Sequence, residues 1–206
     1  MTEYKTQAGG HSTTATTWQD LSGNENNGTL QGGTWLTNGL LLDGTDDGVK
    51  INSQDLTTMT VEMTYTPKIV KSQEEVLLAN YESGGYGIAI SNGSTYMQVY
   101  ISNTYQRAKS TDIINTNKVY YIAGTFDGTT IKLYVNGVLE ASTTVTETIG
   151  QPVSNTILAI GANPSGSNLT GGYANGIVHT ARLYDRALTA EEIMNNYLID
   201  KEKYNI

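Results

Sequence analysis

Two tight-turn dipeptides, Asp127-Gly128 and Asn136-Gly137, bracket a run in which Ile131, Leu133 and Val135 alternate with Lys132, Tyr134 and Asn136. Both dipeptides tolerate the positive φ that a two-residue hairpin turn demands. Alternation with period two sends successive side chains to opposite faces of a strand. Together they predict three consecutive antiparallel strands, at 119–126, 130–135 and 138–145. A meander of this kind must bury its apolar face against a second layer, and the chain supplies more strands for it. In 60–66, Val61, Met63 and Tyr65 alternate with Thr60, Glu62, Thr64 and Thr66. This predicts a strand with one buried face, ended or edged by Pro67. Further strands are expected at 40–43, 49–52, 76–79, 86–91 and 96–101.

Composition agrees. Only 16% of the 206 residues are charged, against about 25% in ordinary soluble domains. The polar load sits in Thr, Ser, Asn and Gly, residues of turns and half-exposed strands. With no Cys, zinc-thiolate sites, redox pairs and cysteine nucleophiles are excluded. A net charge of −8, with twelve scattered basic residues, leaves no electrostatic footprint for nucleic acid. No apolar run approaches the roughly 20 residues that span a bilayer. Residues 1–17 are polar and Thr-rich without the apolar core of a signal peptide, and are expected to be a flexible leader or linker remnant. Residues 18–206 read as one domain. Near its end, Thr189 and Glu192 form a capping-box pattern. Ile193, Tyr197 and Leu198 follow on one helical face. The expected fold is all-β: a two-sheet antiparallel jelly-roll sandwich with a short C-terminal helix.

Four segments then carry a resemblance. The first runs from Trp18 through Asp20, Ser22-Gly23-Asn24 and Asn26-Asn27-Gly28 to Leu30. The second is Leu42-Asp43-Gly44-Thr45-Asp46-Asp47-Gly48-Val49, followed by Met59 to Glu62. The third spans 123–137 and includes both hairpin dipeptides. The fourth joins Ile160-Gly161-Ala162-Asn163, Asn175-Gly176 and the stretch from Arg182 to Ile193. In order and spacing they resemble the concanavalin A-like lectin/glucanase superfamily, in its laminin-G-like jelly-roll branch. That resemblance implies two sheets face to face, one concave, with loops gathered at its rim and the capped helix over one edge. Trp18 and Trp35 are expected as packing anchors.

The superfamily holds lectins, adhesion domains, glucanases and lyases, so function must come from the residues. Its retaining glucanases carry Glu-x-Asp-x-x-Glu on one strand, and no such triplet occurs here. In Glu74-Glu75, neighbours on a strand would point to opposite faces, and Glu191-Glu192 is explained by helix capping. His11, in the leader, and His179, in a strand, have no paired nucleophile. No catalytic residue is expected. Asp43, Asp46 and Asp47 lie within one turn and offer the oxygen ligands a hard cation takes. The resemblance makes Ca2+ a possible ligand there, although no cofactor is required. Near the C-terminus the family commonly places an Asp where this chain has His179, a poor calcium ligand when neutral. An ordinary polar turn also accounts for the three aspartates.

Glycan recognition needs aromatic faces and hydroxyl partners. The fourteen tyrosines, among them Tyr96, Tyr100 and Tyr105, are mostly expected in sheets. Two Gly-rich loops stand apart as candidate rim loops for ligand binding: 81–86, bounded by Tyr81 and Tyr86, and the loop bearing Asn163, Asn168 and Tyr173. Either is also readable as an ordinary connection. The resulting expectation is a non-catalytic carbohydrate-binding or adhesion module of a bacterial surface or phage structural protein. It would be extracellular, at a cell surface or on a virion. Its partners would be a glycan or cell-surface polysaccharide and other domains of a larger protein, with neither nucleic acid nor membrane among them. A structural or protein-interaction sandwich without a sugar ligand, and a divergent glycoside hydrolase or polysaccharide lyase, are the alternatives.

Overall fold

The computed structural model describes residues 1–5 and 14–206, and His11 lies outside the described residues. In chain order the strands begin β1 (Thr2–Lys5), β2 (Thr17–Trp18), β3 (Gly28–Gln31), β4 (Thr34–Leu36), β5 (Gly39–Asp43) and β6 (Gly48–Ile51). The central strands are β7 (Met59–Pro67), β8 (Glu75–Asn80), β9 (Tyr86–Ser91), β10 (Ser94–Ile101) and β11 (Thr104–Ile113). There follow β12 (Tyr120–Phe126), β13 (Thr130–Val135), β14 (Val138–Thr144), β15 (Leu158–Ile160), β16 (Pro164–Ser165), β17 (Asn168–Leu169) and β18 (Asn175–Tyr184). One helix, α1 (Ala190–Tyr204), comes last.

Two large antiparallel sheets result. One has the order β14-β13-β12-β7-β18-β5-β4, with β1 also on β18; the other runs β11-β10-β9-β8-β15-β6-β3-β2. The meander β12-β13-β14 forms where the turn dipeptides place it, pairing Phe126 with Ile131 and Val135 with Val138. Asn136 and Gly137 sit at φ 50° and 78°, the left-handed backbone that Asn tolerates and Gly, without a Cβ, adopts freely. Within the segment expected as a leader, Thr2–Lys5 pair with β18 in the register Thr2 to Leu183, and Thr17 already pairs with Thr29.

The core lies between the sheets and includes Met59, Val61, Met63 and Tyr65 of β7, facing Ile88, Ile90, Met97 and Val99. Trp18 and Trp35 are buried in an edge-to-face pair with centroids 5.3 Å apart. The sheets meet closely at Gly124, where a Cβ would stand 2.6 Å from Met97 Sδ. That position needs glycine for space alone.

Three expectations are corrected here. The 60–66 strand was to expose one face, yet every residue of β7 is buried. The cause is α1, which lies across the outer face of its sheet rather than over an edge. Ile193 packs with Tyr121, Ala123 and Tyr134 on that face. The surface it covers is also polar: Arg182 donates to Asp200 at 2.6 and 2.9 Å and to Glu62 at 3.3 Å. Thr64 and Thr180 donate to the same Asp200, and Asn196 to Glu62. Burial raises the pKa of Glu62 while Arg182 pulls it down. Leu198, expected on the docking face, is 50% exposed, and Asp200 is buried instead. The sheet face offers a guanidinium to meet, and a carboxylate meets it better than a leucine does.

Candidate functional site

The second sheet presents a cleft of about 310 Å³ at one end of its outer face. The turn at Ser102-Asn103, both at positive φ, sets the β10–β11 register: Tyr100 opposite Tyr105, Gln98 opposite Arg107, Tyr96 opposite Lys109. These residues share one face because pairing in an antiparallel ladder keeps partners on the same side. Arg107 Nε donates to Gln98 Oε1 at 2.8 Å, and its guanidinium lies 4.7 Å over the Tyr96 ring. Glu74, just ahead of β8, accepts the hydroxyl protons of Tyr81, at 2.7 Å, and Tyr96. Arg107 Nη2 stands 3.9 Å from the same carboxylate. The Tyr105 ring meets Tyr81 and Tyr100 edge-on at 5.5 and 4.9 Å, and its hydroxyl donates to the Gly84 carbonyl.

The two loops singled out in the sequence close over the same cleft. Residues 81–83 line one part of it, and Asn163, Pro164, Ser165 and Thr170 another. They are tied together by Glu82. Its carboxylate accepts the Gly166 N–H at 2.6 Å, the Ser165 hydroxyl at 2.9 Å and the Thr156 hydroxyl at 3.2 Å. The Gly166 N–H, then the Ser165 hydroxyl, hold its pKa below the ordinary carboxylate value. The tyrosines move the other way. Burial, followed by the charge and hydrogen bonding of Glu74, raises the pKa of Tyr81 and Tyr96 well above that of a free phenol. Burial raises Tyr105 too. All three are neutral hydrogen-bonding groups at physiological pH, whereas a phenol acting as base or nucleophile needs its pKa lowered.

Of the five residues picked out as ligand candidates, the cleft brings together Tyr81 and Asn163. Tyr86 is corrected: it is a fully buried core residue, and its hydroxyl donates to the Gln54 carbonyl at 2.7 Å. It stands at the start of β9 with its side chain turned between the sheets, out of reach of any ligand. Asn168 is exposed on β17, opposite Ser165, and Tyr173 packs with Ala159, Ala162 and Leu169, its hydroxyl on the Leu169 carbonyl. Neither lines the cleft. Glu74, Glu82, Gln98 and Arg107 were not anticipated. The Ser102-Asn103 turn, which dictates the Gln98–Arg107 pairing, was the available signal for two of them.

The aspartate turn does converge: carboxylate oxygens of Asp43, Asp46 and Asp47 lie within 4.8 Å of one another. Two of the three carboxylates already accept backbone hydrogens. Asp47 accepts the Gly33 N–H at 2.7 Å on one oxygen and the Asp43 N–H at 2.9 Å on the other. Asp43 accepts the Thr45 N–H at 2.7 Å. The carbonyls of Gly44 and Tyr173, ligands of the kind calcium takes, both receive protons from Lys71 Nζ. His179 is buried at the β18 bulge, with Nδ1 2.6 Å from the Asn38 carbonyl and Nε2 2.8 Å from Thr66 Oγ1. Burial lowers its pKa. A calcium ion at this turn would compete with these backbone hydrogens and with the Lys71 ammonium.

Residues 43–194 match the family model described as the concanavalin A-like lectin/glucanases superfamily. No curated protein matches the chain. Among solved structures it is similar to Trypanosoma rangeli sialidase in complex with sialic acid, at 17% identity and TM-score 0.71. That match covers 97% of this chain and 33% of the sialidase, so the chain spans about a third of that enzyme's length. Domain 4 of AbnA, a GH43 extracellular arabinanase from Geobacillus stearothermophilus, in complex with arabinotriose, is similar at 18% identity and TM-score 0.70, over 86% of this chain and 91% of that one. The botulinum neurotoxin serotype D binding domain follows at 16% identity and TM-score 0.68, over 96% and 51%. At such identities the likeness is one of fold.

Proposed function

Since the chain belongs to the concanavalin A-like lectin/glucanases superfamily, we propose that it is a non-catalytic carbohydrate-binding module whose ligand seats in the cleft of Tyr81, Tyr105, Arg107 and Asn163. One observation carries this reading: two loops far apart in sequence are fastened by Glu82 over a cleft that mixes tyrosine rings with fixed polar groups. Small-molecule sites have this character, apolar faces plus a few oriented donors and acceptors. Asn163 adds a further motive, because its side-chain oxygen is buried without a hydrogen-bond partner. An unmet acceptor is costly, and a ligand hydroxyl reaching it would relieve the cost.

The acids support binding over hydrolysis. Glu74 is committed to two tyrosine hydroxyls, and Glu82 to the opposite loop. Retaining glycosidases instead hold two carboxyls about 5–5.5 Å apart across a scissile bond, one of them with a raised pKa. The arabinotriose on the arabinanase domain and the sialic acid on the sialidase are ligands of those proteins; they make sugars the first class to try. The same reading takes the module to be an extracellular, surface or virion-borne part of a larger protein. Among the described residues no helix is long and apolar enough to cross a membrane.

A glycan array probed with the wild-type domain and with Tyr105→Ala tests the proposal. Binding to a defined glycan, weakened in the variant while its circular dichroism stays that of the folded wild type, is the expected result. No binding to any glycan, with or without calcium, sinks it. A protein-interaction role is favoured by a different feature, a cleft of about 290 Å³ beside the exposed Ile113 and Val138. A concentration-dependent oligomer in light scattering, together with a blank array, would select that reading.

A further inference from the structure

The aspartate turn between β5 and β6 crosses the segment leading into β18, and Lys71 stands where they meet. Its Nζ donates to the Gly44 carbonyl at 2.8 Å and to the Tyr173 carbonyl at 2.7 Å, one from each segment. Its backbone is anchored as well. The Lys71 N–H donates to Glu75 at 3.1 Å and its carbonyl accepts from Asn92. Glu75 in turn accepts the Asn175 N–H at 3.0 Å, while the Asn175 amide donates to the Asp43 carbonyl. The crossing is tight: a Cβ on Gly44, at φ +79°, would lie 2.8 Å from Lys71 Nζ and 2.8 Å from Asn175 Cβ.

Chemically this is a cation site already filled. Two carbonyl oxygens from separate segments converge on one positive charge, beside a turn bearing Asp43, Asp46 and Asp47. Hard cations are held in loops by this combination of carbonyls and carboxylates. Bonds from an ammonium are roughly twice as strong as those between neutral partners. We propose that Lys71 is the built-in cation of this rim: its ammonium fastens the two segments as a bound divalent ion would, and the wild-type domain holds its shape without calcium. Removing the side chain takes this donor from the Gly44 and Tyr173 carbonyls, next to the aspartate turn, where a divalent ion from solution can take the ammonium's place. This goes beyond the glycan reading and does not depend on it.

Thermal unfolding of the full chain in calcium chloride and in EDTA tests it, for wild type and Lys71→Ala. Wild type is expected to melt at one temperature in both. Lys71→Ala should melt lower in EDTA by about 5 °C or more, as the loss of two charge-assisted bonds in a domain of this size implies, and recover part of that loss in millimolar calcium. The proposal is overturned if calcium raises the wild-type melting temperature, if Lys71→Ala melts like wild type, or if its loss does not respond to calcium. Should Lys71→Ala fail to fold, the refolding yield of Lys71→Ser decides. A higher yield in calcium than in EDTA upholds the built-in cation, and equal yields reject it.

Discussion

Glu82 Oε2 accepts the backbone N–H of Gly166 at 2.6 Å, joining two rim loops 84 residues apart in sequence. Each loop alone reads as an ordinary Gly-rich connection. The carboxylate turns them into two walls of one cleft, and several consequences can be measured.

The first concerns pH. The Gly166 N–H and the Ser165 hydroxyl depress the pKa of Glu82 in the folded state below 4.5. A depressed folded-state pKa means stability that is present above the unfolded value and lost as pH falls through the folded one. Ligand affinity and melting temperature should therefore decline together as the solution is acidified from about pH 5 to pH 3. Glu82→Gln should remove the part of that dependence specific to the cleft and bind more weakly at neutral pH. An unchanged acid profile for binding in Glu82→Gln would show that the latch does not hold the site.

Tyrosines of the core and of the cleft should separate under substitution. Tyr86→Phe deletes a hydroxyl bonded to the Gln54 carbonyl, a loss of about 1 kcal/mol of stability, and should leave glycan affinity intact. Tyr105→Ala should lower affinity about tenfold, equivalent to ~1.4 kcal/mol, beyond the stability lost with its contacts to Tyr81 and Tyr100. Urea unfolding and titration calorimetry on both variants check the pair; binding lost in Tyr86→Phe would contradict the site.

Under α1, Asp200→Ala would strip Arg182, which is 4% exposed, of its bidentate partner and leave Glu62 as its remaining carboxylate. Breaking a buried pair from one side costs about 3–5 kcal/mol. Denaturant unfolding should show a loss of that size, and hydrogen exchange should show α1 released ahead of the sheets. Exchange in α1 that stays as slow as in wild type would mean that Ile193 and its neighbours hold the helix without the ion pair.

The meander and the capped helix were legible because their causes are local. Asn136-Gly137 sets a two-residue turn and Asp127-Gly128 a four-residue one, and the Thr189–Glu192 box forms as the pattern predicts. Tyr86 was misjudged because a tyrosine at the end of a strand carries no mark of which face the opposite sheet will cover. Leu198 was misjudged because helical periodicity measures apolarity, whereas the docking surface contained Arg182. Glu74, Glu82 and Arg107 were missed because their partners are distant in sequence.

By itself the sequence determined many of the strands, the meander turns, the helix cap and the family, since period-two alternation and turn dipeptides act through neighbouring φ and ψ. It also determined what chemistry was at hand: many tyrosines, no cysteine, three close aspartates. Only the tertiary structure decided which tyrosines face a cleft and which fill the core. It decided as well that Glu82 would bind two loops into one site and that Lys71 would reach two carbonyls on separate segments. The physical reason is that burial and hydrogen bonding between distant segments depend on how the sheets stack and where the loops cross, and local patterning carries no record of either.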